Sequence, residues 1–132
     1  MTKRNPPKLE KPLTEVELEL MHLVWNLGEC TVKEVQTALS ADRNLAYTSV
    51  ATIMKILEQK GVLASSKSDR AHTYRPLISR ADYEAASLKH LAQNLFQGSP
   101  SSMVMRLLDE SKLSADELRA IRKLVDERMK HD

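Results

Sequence analysis

Apolar side chains recur at helical spacing in three runs near the start of the chain and three towards its end, with a short alternating stretch between them. The first run puts Val16, Leu20, Leu23, Val24 and Leu27 on one side of a helix, opened by the capping box Thr14-Glu15-Val16-Glu17 and closed by Gly28. The box repeats as Thr31-Val32-Lys33-Glu34 before a shorter helix holding Val32, Val35 and Leu39, which runs into the polar turn from Ser40 to Asn44. Ala46 to Gly61 predicts a third helix with Val50, Ile53 and Leu57 inward. Thr48, Ser49, Ala51, Thr52 and Lys55 then stay outside, and Gly61 stops the helix at the C′ position.

After Gly61 the period changes. Val62 to Ser65 and His72 to Leu77 read as two strands of a hairpin, joined by the charged turn from Ser66 to Ala71. Ser79-Arg80-Ala81-Asp82 opens a long helix to about Gln97, with Leu88, Leu91, Ala92, Leu95 and Phe96 apolar. Gly98 breaks it, and Ser99 with Pro100 supplies an N-cap and an N1 proline for a helix to about Glu110. A last box, Ser114-Ala115-Asp116-Glu117, starts a final helix with Leu118, Ile121, Leu124, Val125 and Met129.

The expected fold is therefore mainly α with a small β-hairpin wing. Three helices and a hairpin in that order are the arrangement of a winged helix-turn-helix, in which the wing lies on the sugar-phosphate backbone beside the groove holding the third helix. We expect a mobile basic leader over 1–12, a winged-helix domain over 13–78 and a helical domain over 79–132. The last three helices carry more apolar surface than so small a lobe covers alone, so burial by a partner is expected, most simply by a second copy. Its expected contacts are Leu88, Leu91, Leu95, Phe96, Val104, Leu107, Leu108, Leu118, Ile121, Leu124 and Val125.

Charge sharpens the picture by its distribution. The balance of 20 Lys+Arg against 18 Asp+Glu, +2, is too mild to argue for nucleic acid. Between Arg43 and Arg75, however, six basic residues face two acidic ones, a surplus of +4, whereas 79–132 is neutral. Concentrated positive charge is what phosphate contacts need, since neutralising phosphates releases counterions. Small hydrogen-bonding side chains on the third helix also suit a major groove, although any surface helix has one dry and one wet face.

Other chemistry finds little support. His22, His72, His90 and His131 are scattered, and Cys30 has no cysteine partner, so no metal site and no cofactor are expected. Cys30 reads as a small residue at a helix boundary, with a redox role only if its thiol pKa is low. Gly-rich phosphate loops, nucleophile elbows and placed carboxylate pairs are missing, so we expect a non-enzyme. The lone cysteine and the lack of a signal region or apolar run long enough for a membrane span point to the cytoplasm, without membrane insertion.

Five blocks in order carry a family resemblance: Leu13 to Met21 with Trp25 and Gly28-Glu29; Thr31 to Val35; Ala46 to Lys55 with Leu57 to Gly61; Tyr74 to Arg80; and Leu95 to Pro100. With these the chain resembles the penicillinase repressor family (BlaI/MecI/CopY-type transcriptional repressors) from about Leu13 to Met129. The resemblance implies a homodimeric repressor that binds a palindromic double-stranded operator through the 46–60 helix and the 66–71 wing, and controls β-lactam resistance or related genes. By position it implies Thr48, Ser49, Ala51, Thr52 and Lys55 for the groove, with Lys67 and Arg70 on the wing; Tyr47 can pack or bond a phosphate. Thr48, Ser49 and Thr52 can donate to phosphates or base edges, Ala51 can touch a thymine methyl, and Lys55 suits a phosphate. Family members commonly carry Arg after the lysine where this chain has Ile56, which either forfeits a phosphate contact or faces the core.

The family also includes repressors inactivated by a membrane-bound sensor metalloprotease that cuts the dimerisation lobe, here in or near 102–110. Its copper-responsive branch has a cysteine-rich C-terminal tail, whereas this chain ends Arg128-Met129-Lys130-His131-Asp132. Beside the repressor stand two alternatives, a winged-helix protein-interaction module and a metal- or redox-responsive regulator.

Overall fold

The computed structural model describes residues 12–68 and 71–131. The expected leader lies outside the described residues apart from Pro12, and so does Arg70 of the expected wing.

Among the described residues nine elements follow one another: α1 (Glu15–Leu27), β1 (Cys30–Thr31), α2 (Val32–Ala38), α3 (Tyr47–Gln59), β2 (Leu63–Lys67), β3 (His72–Pro76), α4 (Arg80–Asn94), α5 (Pro100–Glu110) and α6 (Ala115–Lys130). Each of the three capping boxes forms in full. Thr14, Thr31 and Ser114 accept from the N–H of the third helical residue, whose glutamate reaches back to the cap N–H. At the end of α3 the Gly61 N–H donates to the Glu58 carbonyl at 3.0 Å and the Val62 N–H to the Leu57 carbonyl at 3.1 Å. This paired closure needs a left-handed residue at Gly61, whose φ is +83°.

The core joins α1, α2, α3 and the sheet. Leu20, Met21 and Val24 of α1 meet Val35 of α2, Val50, Met54 and Leu57 of α3, and Val62, Leu63 and Tyr74 of the hairpin. Details differ from the periodic reading. Met21 and Met54 are fully buried, while Leu27 is exposed and Ile53 is only partly buried. Met54 follows Val50 by four positions and Leu57 by minus three, so it completes the buried stripe that Ile53 only flanks.

The hairpin gains a third strand. Cys30–Thr31 pairs antiparallel with Tyr74 and Thr73, giving the order β1-β3-β2. Two residues are too few to show alternation, and Cys30 is therefore a buried sheet residue as well as a neighbour of α2. In the hairpin Leu63 faces Pro76 and Lys67 faces His72, and the Ser68 N–H donates to the Ala71 carbonyl at 2.9 Å.

Packing divides the chain into two compact units, Met1–Leu88 and Lys89–Asp132, with the division inside α4. The first unit is a winged helix followed by the opening turns of α4. In the second, Ala92 and Met103 are buried, but α6 has no buried residue. Leu88, Leu91, Leu95, Val104, Leu107, Leu108, Leu118, Ile121, Leu124 and Val125 are all exposed, as are Met105 and Met129, whereas Phe96 is partly covered. The helix α4 ends at Asn94, short of Gln97, which adopts a positive φ of 51° beside Gly98.

Candidate nucleic-acid interface

The sequence of α3 anchors one face in the core and leaves the opposite one open. Val50, Met54 and Leu57 are fully buried, while Tyr47, Thr48, Ser49, Thr52 and Lys55 are exposed. These five occupy the first two to three turns, so the outward face is concentrated at the N-terminal part of the helix. Ala51 differs from its expected placement. It is partly buried against the core, because it lies three positions before Met54 and shares that side of the helix. Ile56 is also only partly covered and does not belong to the buried core.

Hydrogen bonding narrows what this face can offer. The Thr52 hydroxyl donates to the Thr48 carbonyl at 2.9 Å, so in this arrangement its proton is committed and its oxygen is left to accept. Ala46, the N-cap of α3, provides no side-chain acceptor for the first-turn N–H groups, in contrast to Thr14, Thr31, Ser99 and Ser114 at other helices.

Two braces set the helix against its surroundings. The Lys60 ammonium donates to Glu17 Oε1 at 2.6 Å, tying the end of α3 to the first turn of α1. Burial raises the Glu17 carboxyl, but the hydrogen bond from Lys60, the Thr14 N–H and the ammonium charge outweigh it and hold the pKa below the usual carboxylate value. Glu58 accepts a hydrogen bond from the Ser65 hydroxyl, tying the last turn of α3 to β2. The sequence placed Glu17 in a capping box and Ser65 in a strand, but no local pattern links them to Lys60 and Glu58, because each pair joins different elements.

The local charge surplus is smaller in effect than its count suggests. Arg43 pairs with Glu19 at 2.8 Å and Lys60 with Glu17, so α1 carboxylates neutralise two of the six cations. Lys55 makes no ion pair among the described residues. On the wing, Lys67 is exposed at the end of β2, and the exposed Arg75 of β3 donates to the Ser66 hydroxyl at 3.4 Å. The hairpin rests on Tyr74, which is buried and stacks with His72 at 4.8 Å between ring centroids. Burial pushes the Tyr74 phenol up, with the nearby Glu58 and Tyr47 adding to the effect.

Cys30 is 1% exposed. Burial, with Glu34 and Glu29 adding to it, raises its thiol to about 11, leaving it protonated near neutral pH. Among the described residues no group of three or more His, Cys, Asp or Glu side chains is gathered where it could hold a metal ion.

The chain is 34% identical over 117 residues to the transcriptional regulator BlaI of Mycobacterium tuberculosis, spanning 87% of this chain and 83% of that protein. It is 26% identical over 115 residues to the penicillinase repressor of Bacillus licheniformis, spanning 87% and 90%. The solution structure of the DNA-binding domain of the repressor BlaI is 26% identical, covers 60% of this chain and 94% of that one, and superposes with a TM-score of 0.49. Residues 13–127 match the penicillinase repressor profile, and with nearly the whole chain matched it belongs to the penicillinase repressor family.

Proposed function

We propose that this chain is a transcriptional repressor that binds double-stranded operator DNA as a homodimer. The observation that carries the reading is α3: its inner face is fully buried, while its small polar outer face and Lys55 stand clear beside the hairpin. A major groove accepts such a helix. In this reading Thr48, Ser49 and Thr52 meet base edges or phosphates, Ala51 offers only part of its methyl to a thymine, and Tyr47, Lys55, Lys67 and Arg70 hold the backbone. The uncapped first turn of α3 adds N–H groups that favour a phosphate. The names of the related proteins, a transcriptional regulator and a penicillinase repressor, point the same way.

The helical lobe serves as the dimerisation domain. A sixteen-residue helix such as α6 with no buried residue gains little stability by itself, because most helical stability in proteins comes from packing an amphipathic face. A second copy that covers Leu118, Ile121, Leu124 and Val125 supplies that packing and sets two copies of α3 against the two halves of a palindrome. No helix among the described residues is long and apolar enough to cross a membrane, and the protein acts on DNA in the cytoplasm. Cleavage in α5 by a membrane-bound sensor metalloprotease would release the operator by dismantling this lobe.

Mobility shifts on the chain's own promoter at several salt concentrations test the reading. Tight, sequence-selective binding that weakens steeply with salt is expected. No shift at any salt would overturn it.

A further inference from the structure

Five contacts converge where the wing ends and α4 begins. Trp25 Nε1 donates to the Ile78 carbonyl at 2.9 Å, and Ile78 is 2% exposed. The Arg80 guanidinium lies 5.5 Å from the centroid of the same indole and donates to Asn26 Oδ1 at 2.8 Å. The buried Tyr83 ring sits 5.7 Å from Trp25, and its hydroxyl accepts from the Leu13 N–H at 3.4 Å. All of these residues belong to the first compact unit.

Beyond this grip α4 has no other hold for two turns. Between Tyr83 and Ala92 none of its residues is buried, so the direction in which the helix leaves the winged helix rests on its first turn. Leu77 to Ser79 belong to neither β3 nor α4. The Leu77 N–H donates to the Val62 carbonyl at 2.9 Å and Ile78 is buried in the core, so the swing left to α4 is about Ser79, where the contacts around Trp25 hold its first turn.

We propose that Trp25, Asn26, Arg80 and Tyr83 form a clamp that fixes the exit direction of α4, making them positioning residues for the spacing of operator half-sites. The inference rests on the reading above, in which a dimer spans two half-sites. Inserting one base pair moves a half-site by about 3.4 Å and turns it by roughly 35° around the duplex. A swivelling connection follows that turn, whereas a clamped helix does not. Clamping also confines the second lobe once the first has bound, which raises its effective concentration at the other half-site. A single half-site gains neither benefit, and this separates the clamp from ordinary core packing.

The test uses the full chain and an operator duplex selected from random sequence by the wild type. Trp25→Phe keeps an aromatic ring but removes the Nε1 donor, and Arg80→Ala removes an exposed side chain with little risk to folding. Fluorescence anisotropy would measure affinity for one half-site, for the full operator, and for the operator with one or two inserted base pairs. Both variants should bind the half-site within about twofold of the wild type, bind the full operator about tenfold more weakly, and lose most of the penalty for insertion. Half-site and full-operator affinity falling together, with the insertion penalty unchanged, would overturn the clamp, and so would variants indistinguishable from the wild type. A wild type that selects no duplex overturns the repressor reading itself, and the clamp with it.

Discussion

Lys60, the C-cap of α3, donates its ammonium proton to Glu17 at 2.6 Å, the same carboxylate that closes the capping box at the start of α1. One side chain thereby finishes a helix N-terminus and anchors the far end of the helix offered to DNA. Glu17 is 6% exposed, so its charge depends on these partners for solvation.

Replacing Lys60 with Met leaves that carboxylate buried with the Thr14 N–H as its remaining donor, and should cost about 1–3 kcal/mol at neutral pH. The folded pKa of Glu17 lies below the ordinary carboxylate value, so the pair stabilises the fold above that value, and its contribution is lost as pH falls through the lower folded pKa. Urea denaturation of wild type and Lys60→Met should show a gap at neutral pH that narrows in acid. An equal gap at both would refute the charge-based account.

Lys55→Ala should weaken binding to every DNA sequence and flatten the dependence of log affinity on log salt by roughly one unit, as loss of one phosphate contact does. Lys60→Ala provides the contrast. Its ammonium is already paired with Glu17, so the salt slope should stay unchanged in that variant.

Thr52→Val keeps the shape of the side chain but removes both the bond to Thr48 and the acceptor oxygen. If that oxygen reads a base-edge amino group, the variant should lose about 1–3 kcal/mol of discrimination at one base pair of each half-site. Selection from random duplexes checks this, since an unaltered preference at every position would assign Thr52 to shape alone.

Leu118→Asp and Leu124→Asp place a carboxylate on the exposed apolar face of α6. Sedimentation should show monomers at concentrations where the wild type is dimeric, with full-operator affinity reduced and half-site affinity retained. A variant that still sediments as a dimer would place the interface elsewhere.

Cys30 should resist thiol reagents in the native protein and react once denatured, because its protonated thiol is buried and has a pKa near 11. Rapid stoichiometric labelling under native conditions would reopen a redox role.

The order of helices and hairpin was legible because each depends on neighbours within a few residues. Thr14, Thr31 and Ser114 cap their helices with partners three positions away, and the positive φ of Gly61 ends α3 through bonds spanning one turn. The same periodicity exposed the dry and wet faces of α3. It did not choose between Ile53 and Met54 for the core or keep Ala51 fully outside, since adjacent helical positions fall within one broad arc and only the opposing wall selects among them.

Tertiary structure decided whatever depends on distant segments meeting. Cys30–Thr31 became a strand only by pairing with Tyr74 and Thr73, and Trp25 found its acceptor at Ile78, 53 residues away. The basic surplus from Arg43 to Arg75 was correct as a count, yet Glu19 and Glu17 lie across the fold from Arg43 and Lys60 and neutralise them. Sequence alone thus determined the helices and the hairpin, whose hydrogen bonds join residues near one another along the chain, but not β1. Which side chains remain available at the surface was decided by contacts that the folded chain alone brings within reach.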